Sequence, residues 1–176
     1  ASGKFSSVMN GQNNSATDSS CTVLNGLLNA ARYANSLILN GQSNTVDSQM
    51  SWIGSGLSNS IYHMSGANVS EYNFILNGGS LSMNGSANSF LAGQNSTLFN
   101  TTFSSAEGQN HRITTSSFVK VIGDGNIVST GQQQFLVGKG LQGPSNTGGN
   151  VSGFVDFFVS FGQYNNIVVN STTKVL

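Results

Sequence analysis

Residues able to do acid–base or metal chemistry are few and scattered in this sequence. His63 and His111 are the two imidazoles, and neither has a second His, a Cys or a carboxylate at metal-ligand spacing. No short spacing pairs two of the six carboxylates for general acid and base work. These carboxylates are Asp18, Asp47, Glu71, Glu107, Asp124 and Asp156. We therefore expect no catalytic residues, no bound metal and no other cofactor. The enzymatic alternative is a polysaccharide depolymerase that assembles a carboxylate pair between chains.

Side chains suited to recognition are grouped between residues 52 and 72. Tyr62, His63, Glu71 and Tyr72 lie in the segment SIYHMSGANVSEYN, and Trp52 precedes that segment. Aromatic faces with polar tips are typical of carbohydrate and protein contacts. We predict a ligand site at these five residues. Two alternatives stay open: the tyrosines pack the segment against a neighbouring subunit, or Trp52 lies in the core or at a subunit interface rather than forming an exposed platform for sugars.

The elements that position these side chains follow from a repeat of fifteen residues, interrupted by one longer unit of 22. The glycines that mark it are Gly11, Gly26, Gly41, Gly56, Gly78, Gly93, Gly108, Gly123 and Gly138. We number the places of each unit so that this glycine occupies the last one, place fifteen in a standard unit. The fifth place is apolar in every unit from Ala16 to Val128. The twelfth place is apolar in most units, and the pattern weakens at Ser105 and Lys120.

Two short apolar-bearing segments joined by polar turns predict two brief strands in each unit. Fifteen residues cannot hold two helices, and Gly, Asn, Ser and Thr are poor helix formers. The expected fold is all-β: a parallel β-roll, or solenoid, of stacked coils of about fifteen residues over residues 1–138.

The extra residues of the 22-residue unit, 57–78, form an insertion, and loops projected from a rigid scaffold commonly carry recognition. Each coil supplies only two or three apolar side chains, so we expect the thin core to require a homotrimer.

Asparagine recurs at the third place of the coil, at Asn14, Asn29, Asn44, Asn59 and Asn126. Stacked coils would place these amides in a ladder, each bonded to its neighbours above and below. One interpretation is that the ladder satisfies the backbone of the turns. The other is that it lines a symmetry axis and holds water or ions.

Composition excludes two classes of partner. Charged residues make up 7% of the chain and the formal net charge is zero, so no basic stripe for nucleic acid exists. The longest apolar stretch, FVDFFVSF, is far shorter than the ~20 residues of a membrane-spanning helix. Cys21 is the single cysteine and falls on the apolar register, which predicts a small buried residue.

The repeats resemble the heads of a known class of adhesin. NSLILNGQSN, residues 35–44, and GQNNS, residues 11–15, are similar to the head repeats of YadA-like trimeric autotransporter adhesins, which bacteriophage tail fibres share. The resemblance covers about residues 5 to 138. It implies a left-handed parallel β-roll with three chains packed side by side.

A second resemblance covers residues 110–140, NHRITTSSFVKVIGDGNIVSTGQQQFLVGKG. It looks like the segment that closes such rolls before an endosialidase-type intramolecular chaperone. The matching residues are Asn110, His111, Ser117, Phe118, Val119, Ser129, Thr130, Gly131, Gln134, Phe135 and Leu136. The resemblance implies that the chaperone templates the trimer and then cuts itself off, so Leu176 is either the processed end or an end unrelated to processing. It also favours a structural hydrogen bond for His111 over a site.

Residues 139–176 depart from that pattern. Their composition predicts a polar connection followed by two or three strands. We expect a small β-rich cap that locks the trimer, since solenoid ends must be closed. The alternative is a ligand-contacting tip, whose candidate residues are Phe154, Phe157, Phe161 and Tyr164.

These features together favour an extracellular attachment protein. The prediction is a trimeric fibre head or tip, on the surface of a virion or a bacterium, that binds a glycan or protein receptor on a host cell. Neutral sugars suit an uncharged surface rich in amides and hydroxyls. The alternative is a purely structural shaft that sets the length and stiffness of a fibre.

Overall fold

The computed structural model describes residues 1–63, 71–129, 132–139, 150–151 and 158–163. Within these ranges the regular structure is entirely β, with no helix, and hence none long and apolar enough to cross a membrane. The chain winds through about eight turns of a β-solenoid, and each turn contributes one strand to each of two parallel sheets. The expected all-β solenoid of fifteen-residue coils is confirmed.

Odd-numbered strands form a ten-stranded sheet and even-numbered strands form a nine-stranded sheet. The ten-stranded sheet contains β1 (Ser7–Val8), β3 (Thr22–Val23), β5 (Leu37–Ile38), β7 (Trp52–Leu57), β9 (Phe74–Gly79), β11 (Phe90–Gln94), β13 (Ser105–Gln109), β15 (Ser117–Asp124), β17 (Gln132–Lys139) and β19 (Phe158–Gln163). The nine-stranded sheet contains β2 (Ser15–Ala16), β4 (Ala30–Ala31), β6 (Thr45–Asp47), β8 (Ser60–Tyr62), β10 (Ser82–Asn84), β12 (Thr97–Phe99), β14 (Arg112–Thr114), β16 (Ile127–Ser129) and β18 (Asn150–Val151).

Each strand pairs with the strand one coil later, so equal places of the repeat become neighbours. Ser82 pairs with Thr97, and Thr97 pairs with Arg112, at intervals of fifteen residues. Beyond residue 138, β18 pairs with β16 and β19 pairs with β17, so both sheets continue into the segment predicted as a cap.

The core consists of one apolar column from each sheet. The fifth-place residues are all fully buried, as predicted. They are Ala16, Ala31, Val46, Ile61, Met83, Leu98, Ile113 and Val128. Cys21 is buried as well, and its Sγ lies 2.9 Å from the carbonyl oxygen of Tyr33.

The column from the ten-stranded sheet changes register after the long coil. Val23, Ile38, Ile53 and Ile75 are buried at or equivalent to the twelfth place, but Phe90 is only half-buried. The buried residues of the later coils stand one place further on: Leu91, Ala106, Val121 and Leu136. The pairing of β9 with β11 slips between Leu91 and Gly93. This slip explains the apparent weakness of the pattern, because the twelfth place turns outward in the later coils.

In the later coils one more residue lies before the buried residue of the ten-stranded sheet. An additional turn, in the corner of the coil opposite the repeat glycine, accommodates it. Gly85, Asn100 and Thr115 there have φ of 62°, 51° and 46°. The early coils show no positive φ at the matching place. The fifteen-residue period is therefore kept while the cross-section of the coil changes.

The repeat glycines are required by close approach as well as by backbone conformation. Gly41 has a φ of 113°, and a Cβ built on it would lie 2.2 Å from the carbonyl oxygen of Gly56 in the next coil. Any other residue there would be strained and would also collide with backbone that cannot move independently.

Candidate functional site

The asparagine ladder bonds mainly to backbone. From Asn14 to Asn59 each amide oxygen accepts the N–H of the third-place residue one coil later, as in Asn44 N to Asn29 Oδ1 at 3.0 Å. Each amide nitrogen donates to the carbonyl of a repeat glycine, as in Asn44 Nδ2 to Gly56 O at 2.9 Å. A direct amide-to-amide bond joins Asn44 Nδ2 to Asn29 Oδ1 at 3.0 Å. This geometry supports the interpretation that the ladder satisfies turn backbone.

His111 occupies the third place of its coil and makes the contacts of an asparagine. Its Nδ1 accepts the backbone N–H of Asn126 at 3.3 Å, so its Nε2 carries the proton and donates to the carbonyl of Glu107 at 3.1 Å. Burial lowers the pKa of His111 from 6.5, against backbone hydrogen bonds that raise it. A neutral imidazole with both nitrogens engaged is a structural group rather than a site.

His63 and Glu71 meet at the base of the insertion. His63 Nδ1 lies 2.8 Å from Glu71 Oε1, and Ser48 donates its hydroxyl to the other carboxylate oxygen. Glu71 is only 3% exposed, so these donors compensate a carboxylate removed from water. Ser51 adds a bond from its hydroxyl to the backbone carbonyl of Glu71 at 3.0 Å.

This cluster does not have the geometry of a catalytic site. The carboxylate lies between the serine and the histidine, whereas a hydroxyl nucleophile needs direct contact with its base and access to substrate. Ser48 and Ser51 are both fully buried. The pair of His63 and Glu71 instead ties together two residues that are eight positions apart in the chain.

Trp52 and Tyr72 line one groove on the ten-stranded sheet. The groove has a volume of about 280 Å³ and is also lined by Met50, Asn73 and Phe74. Trp52 is 52% exposed and Tyr72 is 58% exposed, so neither belongs to the core of the chain. Trp52 meets Phe74 edge to face, with ring centroids 6.5 Å apart. The groove offers aromatic surface to a ligand, and its lining carries no charge.

The groove belongs to a longer aromatic row on adjacent strands. Trp52 pairs with Leu37 on one side and with Phe74 on the other, and Phe74 pairs with Phe90. The rings of Phe74 and Phe90 are 5.8 Å apart. Phe90 was not predicted to be part of this row, because it stands at the twelfth place of the repeat, whereas Trp52 stands at the eleventh. The signal of the changed register is the distance to the repeat glycine: Leu91 lies two residues before Gly93, whereas Ile53 lies three residues before Gly56.

The remaining predicted residues fall elsewhere. Tyr62 ends β8 on the nine-stranded sheet and is exposed, so it does not line the groove with Trp52 and Tyr72. Phe161 lies in β19. Phe154, Phe157 and Tyr164 lie outside the described residues.

Charged side chains are mostly neutralised between coils. Arg32 contacts Asp47 at 3.1 Å, and Lys120 contacts Glu107 at 3.4 Å. Among the described residues no three His, Cys, Asp or Glu side chains come close enough to hold a metal ion. Comparisons with protein-family models and with curated proteins find no match for this chain.

Proposed function

We propose that this chain is the head or tip of a homotrimeric fibre, on a virion or a bacterium, that attaches to neutral glycan on a host cell surface. The observation that carries the proposal is the groove of Trp52 and Tyr72. It is exposed, aromatic and uncharged, and it stands on a rigid parallel sheet whose core and ladder need neither ring.

The chemistry of the groove suits a sugar. The faces of Trp and Tyr bury the C–H groups of a pyranose ring while their polar tips stay hydrated. Asn73 lies in the floor, and its side chain bonds to the backbone carbonyl of Ser86, which holds the floor rigid. A rigid groove loses little conformational entropy on binding.

Trimerisation fits both the thin core and the expected mode of attachment. Besides Trp52 and Tyr72, eleven large apolar side chains are exposed in the described part of the chain, among them Phe5, Leu28 and Leu57. Large exposed apolar surface commonly marks an interface. Three identical grooves on one fibre would raise a weak single-site affinity through effective concentration. We expect a native mass three times the 18.3 kDa of the chain.

The test is glycan binding by the native protein with groove and control variants. Trp52→Ala and Tyr72→Ala are each expected to weaken binding to immobilised neutral glycans at least tenfold, about 1.4 kcal/mol per site. Tyr62→Ala is the matched control, because it removes an exposed tyrosine from the other sheet. Loss of binding in the control alone would move the site to the nine-stranded sheet.

The same aromatic row also favours a second candidate, the structural shaft. A row of apolar side chains on one sheet face can pack against a neighbouring subunit instead of a ligand. Sedimentation of Trp52→Ala separates the two functions. A fall from trimer to monomer, with no glycan bound by the parent protein, would assign the row to the subunit interface and overturn the attachment role.

A further inference from the structure

Phe103 and Phe118 form a second exposed aromatic feature, on the same side of the solenoid as the groove. Their rings are stacked almost parallel, with centroids 5.0 Å apart and planes 9° apart. They are 55% and 57% exposed. We name this pair the phenylalanine ridge.

The fold does not need phenylalanine at these places. Phe103 and Phe118 have φ of 49° and 56°, in the left-handed region that disfavours bulky residues. The preceding coil has Asn88 at the equivalent place with φ of 52°, a residue that adopts this conformation at lower cost. Strained and exposed aromatic residues that add nothing to the core are typical of contact sites.

A groove of about 350 Å³ runs beside the ridge. It is lined by Phe118, Lys120, Gln133, Gln134 and Phe135. Lys120 pairs with Phe135 across β15 and β17, in the row of outward residues that begins at Trp52. The charge of Lys120 is balanced by Glu107 at 3.4 Å. The groove therefore combines aromatic surface with amide and amine donors and little net charge.

The two grooves are built at the same place of the coil. Tyr72 stands two residues before the outward Phe74, and Phe118 stands two residues before the outward Lys120. The intervening coils present Phe90 and Ser105 in the same row. Equivalent places of the two grooves, Trp52 and Lys120, are four coil steps apart, which at the strand spacing of about 4.8 Å amounts to roughly 19 Å along the axis.

We propose that the phenylalanine ridge and its groove form a second subsite, and that the ligand is an extended, neutral glycan chain that lies along the solenoid axis and contacts both grooves. This inference rests on the proposed function of the Trp52 groove and adds the length and direction of the ligand. A hydroxyl-rich chain would stack on the rings at each end and receive hydrogen bonds from Gln133 and Lys120.

The test compares the binding of glycan fragments of different lengths. Purified neutral cell-surface polysaccharides, and fragments of each from disaccharide to octasaccharide, are titrated against the native protein by calorimetry. Affinity is expected to rise at least tenfold between the shortest fragments and those long enough to reach both grooves. Phe118→Asn is expected to abolish that rise.

Phe118→Asn is chosen because asparagine tolerates the left-handed conformation, so the variant keeps the fold. Phe99→Ala, an exposed phenylalanine on the nine-stranded sheet, is the matched control and should change nothing. The second subsite would be overturned if affinity did not depend on fragment length, or if Phe118→Asn kept the parental affinity for every fragment. In either case, a loss of binding in Trp52→Ala would leave the proposed function standing. Absence of binding by the parent protein to every polysaccharide and fragment would overturn both.

Discussion

Asn44→Ala tests how much of the stability comes from the asparagine ladder. Asn44 is fully buried, and its amide bonds to the N–H of Asn59 at 3.0 Å and to the carbonyl of Gly56 at 2.9 Å. Alanine would leave the N–H of Asn59 buried without a partner, at roughly 1–3 kcal/mol, whereas the carbonyl of Gly56 would still accept the N–H of Gln42 at 2.9 Å. We therefore expect a loss of about 1–3 kcal/mol, a sizeable part of the total of about 5–15 kcal/mol typical of a domain.

Two further variants make the measurement specific. Asn44→Ser restores an acceptor for the N–H, as Ser96 does when its hydroxyl accepts the N–H of His111 at 3.0 Å. Its expected cost is smaller than that of alanine, because the buried N–H keeps an acceptor. Asn40→Ala removes an exposed amide four residues earlier, at the same glycine corner, and its expected change is within about 0.5 kcal/mol.

The assay is guanidinium unfolding followed by circular dichroism, at one protein concentration because assembly contributes to stability. Hydrogen exchange at the amide of Asn59 reports the lost bond directly. The reasoning would be refuted if Asn44→Ala cost no more than Asn40→Ala, or if serine and alanine were equally destabilising.

Three other predictions address the turns, the buried imidazole and the late coils. Gly41→Ala places a Cβ 2.2 Å from the carbonyl of Gly56, and we expect a loss above about 3 kcal/mol or no folded protein, measured by thermal melting. Because the pKa of His111 is lowered in the folded state, the unfolded chain binds the proton first as the pH falls. The contribution of His111 to stability should therefore be complete above about pH 6.5 and be lost as the pH drops below it. His111→Asn should remove that part of the slope when the unfolding free energy is plotted against pH. Gln134 is 2% exposed, and neither atom of its side-chain amide has a hydrogen-bond partner among the described residues. Gln134→Val copies Val119 of the preceding coil and should raise the unfolding free energy by about 1–3 kcal/mol. An unchanged or lower unfolding free energy would contradict this prediction.

The repeat was read correctly wherever local chemistry decides the structure. Gly41 must be glycine because of its own φ and its neighbour one coil away, and the fifth place must be apolar because it faces inward in every coil. Both requirements recur every fifteen residues, so they are visible as a period. The third-place asparagines recur for the same reason, since each turn leaves the same backbone groups to satisfy.

The repeat did not reveal where one residue moves between corners of the coil. The twelfth place is apolar in most units, yet Phe90 is half-buried, Lys120 is exposed, and Leu91 and Val121 are buried. A shift of one residue reverses the face of every side chain in a strand, while the spacing of the glycines is unchanged. The period therefore hides the slip.

The sequence by itself determined the class of fold, the length of the coil and the buried fifth place, because these depend on residue type and on a fixed period. Only the tertiary structure decided which of the five predicted site residues meet. Parallel stacking brings together residues fifteen or 22 positions apart, such as Trp52 and Phe74, while it separates Tyr62 from them onto the other sheet. It also joins His63 to Glu71, a contact between two coil positions that their spacing in the chain does not predict.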